Sequence, residues 1–177
     1  KNLVELMGGT IRCSSKLGVG TEFFVTLPFQ LAEEAEEEKS TEKSAIQEEL
    51  LWDHRILLVE DHDLNAKIVT RLLESKQIQV ERVKNGKEAV ELYAASAPYS
   101  YDAILMDIQM PVMGGIEASK KIRMLERPDA RLTPIIALTA NVFDVDVQRS
   151  KAAEMNAHLV KPIDPQKLFR TLITLWK

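Results

Sequence analysis

The sequence is short of cysteine and of long apolar runs, and each shortage excludes a class of protein. Cys13 is the only cysteine among 177 residues, which excludes an intrachain disulfide and disfavours a cysteine-based metal site. No apolar run approaches the roughly 20 residues that a membrane-spanning helix needs. The chain begins at Lys1 rather than Met and shows no secretory signal pattern, so we expect a fragment of a larger cytoplasmic protein, whose upstream segments are free to be membrane-anchored.

A surplus of basic residues is also lacking. The formal net charge is −4, and residues 31–52 carry eight Glu against two Lys, whereas residues 1–30 and 53–177 each come out near +1. Neither flank has the basic stripe of a nucleic-acid-binding surface, so direct contact with nucleic acid is not expected. The composition of residues 31–52 predicts an acidic, solvated linker with some helix-forming tendency.

Residues 53–177 alternate regularly between strand-like and helix-like segments. Four short, mainly apolar runs and the segment near Gln79–Val83 predict five strands, and apolar residues at helical spacing follow each of them. The predicted strands are Ile56–Val59, Gln79–Val83, Ala103–Asp107, Pro134–Leu138 and Ala157–Val160, and the fourth helix is predicted over residues 143–154. Five strand-helix repeats predict an α/β fold, a doubly wound parallel sheet with helices on both faces.

Polar residues directly follow four of these apolar runs. They are Glu60 with Asp61, then Asp107, Thr139 and Lys161. Because the carboxyl ends of parallel strands share one rim, residues about a hundred positions apart are expected to form one pocket. Each residue alone has a structural explanation, as a helix cap or a surface charge, but their joint placement indicates a site.

Three carboxylates in one pocket repel one another, and a cation relieves that repulsion. The ligands are all oxygens, which favours Mg²⁺. With the metal bound, Asp107 has the chemistry of a nucleophile for phosphoryl transfer, and Lys161 and Thr139 can each cover a phosphoryl oxygen.

Four segments of residues 55–176 carry a family resemblance: ILLVEDHDLN, DAILMDIQMPVMGG, PIIALTAN and MNAHLVKPID. They resemble the receiver domain of two-component response regulators, of the kind fused to hybrid histidine kinases. The resemblance implies a flavodoxin-like sheet of order 2-1-3-4-5, the order that receiver proteins illustrate. It also implies a phosphohistidine donor and a histidine phosphotransfer domain as recipient.

The resemblance assigns roles to individual residues. It makes Asp107 the phosphoacceptor, Thr139 the switch hydroxyl and Lys161 the phosphate partner. The implied metal ligands are Glu60, Asp61, Asp107 and the backbone carbonyl of Gln109, and the bond before Pro162 is expected to be cis.

Two residues depart from the family pattern. His158 stands where many receivers carry the Tyr or Phe that rotates on activation, so that part of the switch is in doubt. Glu154 stands at a helix end where relatives often have Gly, and we expect Asn156 to take the left-handed conformation instead.

Residues 1–30 are predicted to be the end of a different domain. They contain a predicted short helix at Leu3–Met7 and two strand-like runs around a glycine turn. The segments LVELMGG and GVGTEFFVTLPF resemble the C-terminal edge of the ATP-binding domain of sensor histidine kinases. Gly18, Gly20 and Thr21 match its nucleotide lid. The rest of that domain is missing, so we expect neither ATP binding nor kinase activity here, with ATP serving only an intact parent kinase.

Three alternatives remain open at this point. A metal-dependent phosphatase with an aspartyl nucleophile resembles D-x-D-x-T, whereas Asp107 is followed two residues later by Gln109. A pseudo-receiver that only docks is disfavoured by the full set of site residues. A flavin module needs a phosphate-binding loop after the first strand, where Asp61 and Asp63 repel phosphate unless a metal intervenes.

Overall fold

The structure is a computed structural model that describes residues 4–5, 8–28, 51, 53–140 and 150–176. The chain divides into two compact units between residues 40 and 41. The predicted domain limits at residues 30 and 52 fall among the residues that are not described, so those limits stay predictions.

The N-terminal unit contains an antiparallel hairpin of β1 (Thr10–Lys16) and β2 (Gly20–Thr26), as the sequence predicts. Gly18 and Gly20 lie at positive φ values of 77° and 139°, which L side chains rarely adopt, so glycine suits this turn. The Ser15 and Thr21 hydroxyls lie 2.8 Å apart and link the two strands beside the turn. Of the predicted first helix, Val4 and Glu5 are helical.

The second unit alternates strands and helices. In chain order its elements are β3 (Arg55–Val59), α1 (Asp63–Glu74), β4 (Gln79–Val83), α2 (Gly86–Ala95), β5 (Ala103–Asp107), α3 (Gly115–Arg123), β6 (Ile135–Thr139), β7 (Ala157–Val160) and α4 (Pro165–Leu175). The strands form one sheet of order β4-β3-β5-β6-β7, and every neighbouring pair is parallel. This is the predicted order 2-1-3-4-5, so the doubly wound fold is confirmed.

Both faces of the sheet are covered, because alternate residues of each buried strand point to opposite sides. On β3, Ile56 and Leu58 pack with α1 and α4, whereas Leu57 and Val59 pack with α2 and α3. The central strands β5 and β6 are buried along their whole length. The hydrophobic cores on the two faces hold the sheet in place, and polar residues lie at its carboxyl rim.

The chain between β6 and β7 departs from expectation. The predicted fourth helix, 143–154, lies largely outside the described residues, and its end, residues 150–152, is helical. The prediction for Asn156 is wrong: Glu154 itself adopts the positive φ of 55°. The Asn156 side chain accepts hydrogen bonds from the Ile135 backbone N–H and the Arg123 guanidinium, and thereby fixes the start of β7 against β6 and α3.

A buried ion pair next to α3 leads to a first prediction. Arg127 donates to both carboxylate oxygens of Asp129 at 2.6 and 2.8 Å, and the Asp129 side chain is fully buried. The Arg127 hydrogen bond is the largest influence on Asp129 and lowers its pKa to about 2. A carboxylate whose pKa is depressed on folding stabilises the fold above its unfolded pKa, and that contribution is lost as pH falls through the folded value.

We therefore expect Asp129→Asn to lower the free energy of unfolding by about 2 kcal/mol at pH 7, with the deficit shrinking between about pH 4 and pH 2. Urea unfolding of both proteins across that range measures it. The control is Glu117→Gln, which removes an exposed pair with Lys121 and is expected to cost less than about 0.5 kcal/mol. A deficit that stays constant with pH would contradict the assignment.

Candidate functional site

The predicted site residues lie at the carboxyl rim of the sheet. Glu60 directly follows β3, Asp107 ends β5, and Thr139 ends β6. Lys161 directly follows β7, and its backbone N–H donates to the Thr139 carbonyl at 2.7 Å. Strand pairing therefore brings together residues that are as many as 101 positions apart.

The backbone around Asp107 is held by a close approach of α3. A Cβ added to Gly115 would lie 2.1 Å from the Asp107 carbonyl oxygen, so only glycine lets the helix begin this close to the strand end. The Gly115 N–H donates to the Ile108 carbonyl at 3.0 Å, and the Ile108 N–H donates to the Leu138 carbonyl at 3.1 Å. The phosphoacceptor candidate is thus fixed by both α3 and β6.

Lys161 lies between two buried carboxylates. Its Nζ is 2.5 Å from Oε2 of Glu60 and 2.6 Å from Oδ2 of Asp107. The other oxygen of Glu60 accepts from the Asn65 amide at 3.1 Å, and the other oxygen of Asp107 accepts from the Gln109 backbone N–H at 3.1 Å. The ammonium therefore neutralises part of the negative charge at the rim and fixes the orientation of both carboxylates.

Burial and charge act against each other in this cluster. Burial is the largest influence on Asp107 and raises its pKa, Lys161 opposes it, and the charge of Glu60 adds a smaller increase. Burial lowers the pKa of Lys161, but its hydrogen bonds to Asp107 and Glu60 outweigh burial and raise that pKa overall. Lys161 is therefore firmly protonated at neutral pH.

A group of carboxylates at the rim has the chemistry of a magnesium site. Glu60, Asp61 and Asp107 each offer a carboxylate oxygen, and the three oxygens lie within 4.8 Å of one another. Oxygen ligands at this spacing suit Mg²⁺, and the one ammonium of Lys161 leaves the three acids with excess negative charge. The residues present therefore fit the metal. The Gln109 peptide is adjacent, and the ligand role of its carbonyl stays a prediction.

Sequence reasoning did not identify Arg82, which holds the loop that carries two of these acids. Its Nε and Nη2 donate to the Glu60 carbonyl at 3.1 and 3.0 Å, and Nη2 also donates to the Asp61 carbonyl at 3.2 Å. The same guanidinium pairs with Asp63 at 2.7 Å. The available signal was an arginine in β4, the strand next to the acidic loop in the predicted order.

The remaining predicted residues belong to β7, to the segment that follows it, or to the N-terminal unit. His158 is half-buried on β7, and its Nε2 hydrogen-bonds the Ser150 hydroxyl. Burial, with a contribution from Lys151, lowers the pKa of His158. The Lys161–Pro162 peptide bond is cis, as expected. Gly18, Gly20 and Thr21 belong to the N-terminal unit, where they form or flank the hairpin turn, and their part in a nucleotide lid stays a prediction.

Known proteins are similar to this chain over different lengths. The profile of the "Response regulator receiver domain" family matches residues 56–173. The autoinducer 2 sensor kinase/phosphatase LuxQ of Vibrio vulnificus is 36% identical over 173 residues, which cover 98% of this chain and 19% of that protein. The chain thus spans about a fifth of this relative's length, and the alignment extends into the residues before the receiver match.

Solved structures agree with the fold. The receiver domain of sensor histidine kinase PA1611 from Pseudomonas aeruginosa, with a magnesium ion coordinated in its active-site cleft, is 38% identical with a TM-score of 0.63, over 70% of this chain and 97% of that one.

A second structure is the receiver domain of the Saccharomyces cerevisiae response regulator Ssk1, in complex with the histidine phosphotransfer protein Ypd1. It is 29% identical with a TM-score of 0.59, over 67% of this chain and 86% of that one. None of the helices in the described part of the chain is long and apolar enough to cross a membrane. With the profile matching most of the second unit, the chain belongs to the response regulator receiver domain family.

Proposed function

We propose that Asp107 accepts a phosphoryl group from a phosphohistidine, with Mg²⁺ held by Glu60, Asp61, Asp107 and the Gln109 carbonyl. One observation carries the proposal: the Lys161 ammonium lies 2.6 Å from a buried Asp107 carboxylate within a cluster of three acids. A purely structural aspartate would not need this arrangement, because it places three like charges close together.

The transfer needs no reactant besides solvent. A carboxylate oxygen of Asp107 forms a bond to phosphorus as the phosphorus–nitrogen bond to the donor imidazole breaks, and the leaving imidazole takes up a proton from solvent water. Bound Mg²⁺ supplies charge neutralisation to the phosphoryl oxygens. Lys161, already held beside Asp107, pairs with a second oxygen, and Thr139, at the end of the neighbouring strand β6, donates its hydroxyl to a third.

Phosphorylation of Asp107 is also expected to change the conformation of the receiver domain. Phosphorylation replaces the single charge of the Asp107 carboxylate by a larger dianionic group, which attracts Thr139 and Lys161. Both residues belong to the β6 and β7 ends, so their movement is transmitted to the adjoining helices. His158 lies on β7 and bonds Ser150 of the preceding segment, and we propose that it takes part in this shift in place of an aromatic ring.

We propose a hybrid sensor kinase as the parent protein and a histidine phosphotransfer domain as the recipient of the phosphoryl group. The support is the similarity to a sensor kinase over 98% of the chain and the Ypd1–Ssk1 complex among structural neighbours. Residues 1–30 are then the end of its ATP-binding domain, 31–52 an acidic linker and 53–177 the receiver. ATP serves the parent alone, and the receiver works in the cytoplasm.

Magnesium removal tests the proposal. Acetyl phosphate with Mg²⁺ is expected to add one phosphoryl group per chain, detected by mass spectrometry of the intact protein and released by hydroxylamine, which cleaves acyl phosphates. Chelation by EDTA is expected to slow labelling by at least about tenfold, because charge neutralisation at the phosphoryl oxygens is lost. Labelling that persists unchanged in EDTA, or that resists hydroxylamine, would contradict the proposal.

A further inference from the structure

Arg82 makes several contacts beyond its own strand, β4, which lies at one edge of the sheet. It lies in β4 with its side chain 25% exposed, and its guanidinium reaches the loop between β3 and α1. There it donates three hydrogen bonds to two successive carbonyls, those of Glu60 and Asp61. The same group pairs with the Asp63 carboxylate at the start of α1. One side chain therefore ties three consecutive parts of the loop to the neighbouring strand.

These contacts fix the peptide groups on either side of Asp61. A carbonyl that accepts a hydrogen bond from a rigid guanidinium fork cannot rotate freely, so the peptide planes at residues 60 and 61 are held. The direction in which a side chain leaves the backbone follows from those planes. Asp61 is the solvent-accessible acid of the cluster, whereas Glu60 is anchored by Lys161 and Asn65 through its own carboxylate.

The positive charge of Arg82 and its hydrogen bonds are expected to change the Mg²⁺ affinity in opposite directions. A guanidinium near an acidic site repels a cation, so on charge alone its removal would strengthen Mg²⁺ binding. Loss of the hydrogen bonds has the opposite effect, because Asp61 must then be ordered when the metal binds. In the native protein the charge is directed at Asp63, which also has Lys84 at 3.6 Å.

We propose that Arg82 is a positioning residue for magnesium: through the Glu60 and Asp61 carbonyls, it preorganises the acidic loop so that Asp61 is aimed at the metal. The inference rests on the magnesium site of the proposed function. It assigns Arg82 no contact with the metal or with the phosphoryl group.

The test is a Mg²⁺ titration of the 177-residue chain, followed by backbone amide shifts in NMR, which report both affinity and location. For Arg82→Gln we expect a dissociation constant about tenfold higher than that of the unmodified chain. Arg82→Lys is expected to stay weak, because one ammonium keeps the charge but cannot span two carbonyls and a carboxylate. In the absence of metal, amide hydrogen exchange at residues 61–63 is expected to be faster in both variants.

Lys84→Gln is the matched control, because it removes the other positive charge beside Asp63 and makes no bond to the loop carbonyls. It is expected to bind Mg²⁺ as tightly as the unmodified chain or slightly more tightly. Arg82→Gln binding as tightly as the control would overturn the proposal, because the hydrogen bonds to the loop carbonyls would then contribute nothing. Full recovery in Arg82→Lys would overturn it too, because one ammonium would then replace the guanidinium fork. If the unmodified chain itself fails to bind Mg²⁺, both the proposed function and this inference are wrong. If Mg²⁺ binds but Asp107 is not labelled, only the proposed function fails.

Discussion

Asp107→Asn is expected to abolish phosphoryl labelling by acetyl phosphate and by phosphohistidine, a loss of at least about a hundredfold. The neutral amide oxygen is a poor nucleophile, and the substitution also removes a carboxylate from the metal cluster. The measurement is intact mass after timed incubation with each donor in Mg²⁺. Labelling of the variant at a comparable rate would reject Asp107 as the acceptor.

Asp107→Asn is expected to be at least as stable as the unmodified chain at pH 7. A loss of labelling in this variant can then be attributed to the missing carboxylate and not to unfolding. Burial raises the pKa of Asp107, so its ionised form is disfavoured in the folded state. A carboxylate whose pKa is raised on folding costs stability above that pKa, and the cost disappears as pH falls below its unfolded pKa. The stability advantage of Asp107→Asn is therefore expected to grow as pH rises through the raised pKa, as measured by thermal unfolding.

Asp102→Asn is the matched control for this experiment. Asp102 directly precedes β5, at the end of the strand opposite Asp107, and its carboxylate accepts from the Arg55 backbone N–H at 2.7 Å. It also lies 3.3 Å from the His54 ring. Asp102→Asn is expected to lose some stability and to keep full labelling. Loss of labelling in this control would show that the assay reports folding rather than chemistry.

Lys161→Met is expected to lower the free energy of unfolding at pH 7 by about 2 kcal/mol. Removing the ammonium leaves Glu60 and Asp107 buried with like charges and no partner between them, and breaking a fully buried pair costs about 3–5 kcal/mol. The smaller figure allows for the 19% exposure of the Lys161 side chain, through which water screens the pair. Urea unfolding measures the loss.

The pH dependence of this variant identifies the cause. Without Lys161 the influence that lowers the pKa of Asp107 is lost and the charge of Glu60 still raises that pKa, so protonation of Asp107 is expected to restore part of the lost stability as pH falls from 7 towards about 5. Adding Glu60→Gln to Lys161→Met should recover stability at pH 7 as well. Lys167→Met, on the exposed side of α4, is the control and should leave stability within about 0.5 kcal/mol. A Lys161→Met chain with unchanged stability would contradict the account.

The site was predictable from the sequence because its geometry follows from strand lengths. The runs before Glu60 and Thr139 are short and apolar, the run before Lys161 is apolar except for His158, and β5 ends at Asp107 itself. Such runs indicate buried parallel strands, and parallel strands place their carboxyl ends on one rim. The convergence of Lys161 with Glu60 and Asp107 therefore follows from topology, before any side-chain detail is known.

The features that were missed depend on side-chain reach and on local backbone conformation. Arg82 gives no periodic signal, because an arginine on an edge strand such as β4 usually faces solvent, and only the structure shows that its guanidinium donates to the Glu60 and Asp61 carbonyls. The left-handed residue was assigned to Asn156, which has the higher propensity for it, whereas Glu154 takes it. The Asn156 side chain accepts hydrogen bonds from Arg123 and Ile135, and these tertiary bonds outweigh the preference of asparagine for the left-handed conformation.

At the amino-terminal edge of the sheet, the rings of His54 and Trp176 stack with centroids 3.8 Å apart, and the Trp176 indole N–H donates to the Asp102 carbonyl. His54 precedes β3 and Trp176 follows α4. The segment before β3 and the segment after α4 therefore lie side by side, at the end of the sheet opposite Asp107. A domain whose two ends are adjacent can be inserted between other segments without distortion of its fold. Circular permutants in which the segments at His54 and Trp176 are joined are therefore expected to keep the same arrangement of residues at the carboxyl rim.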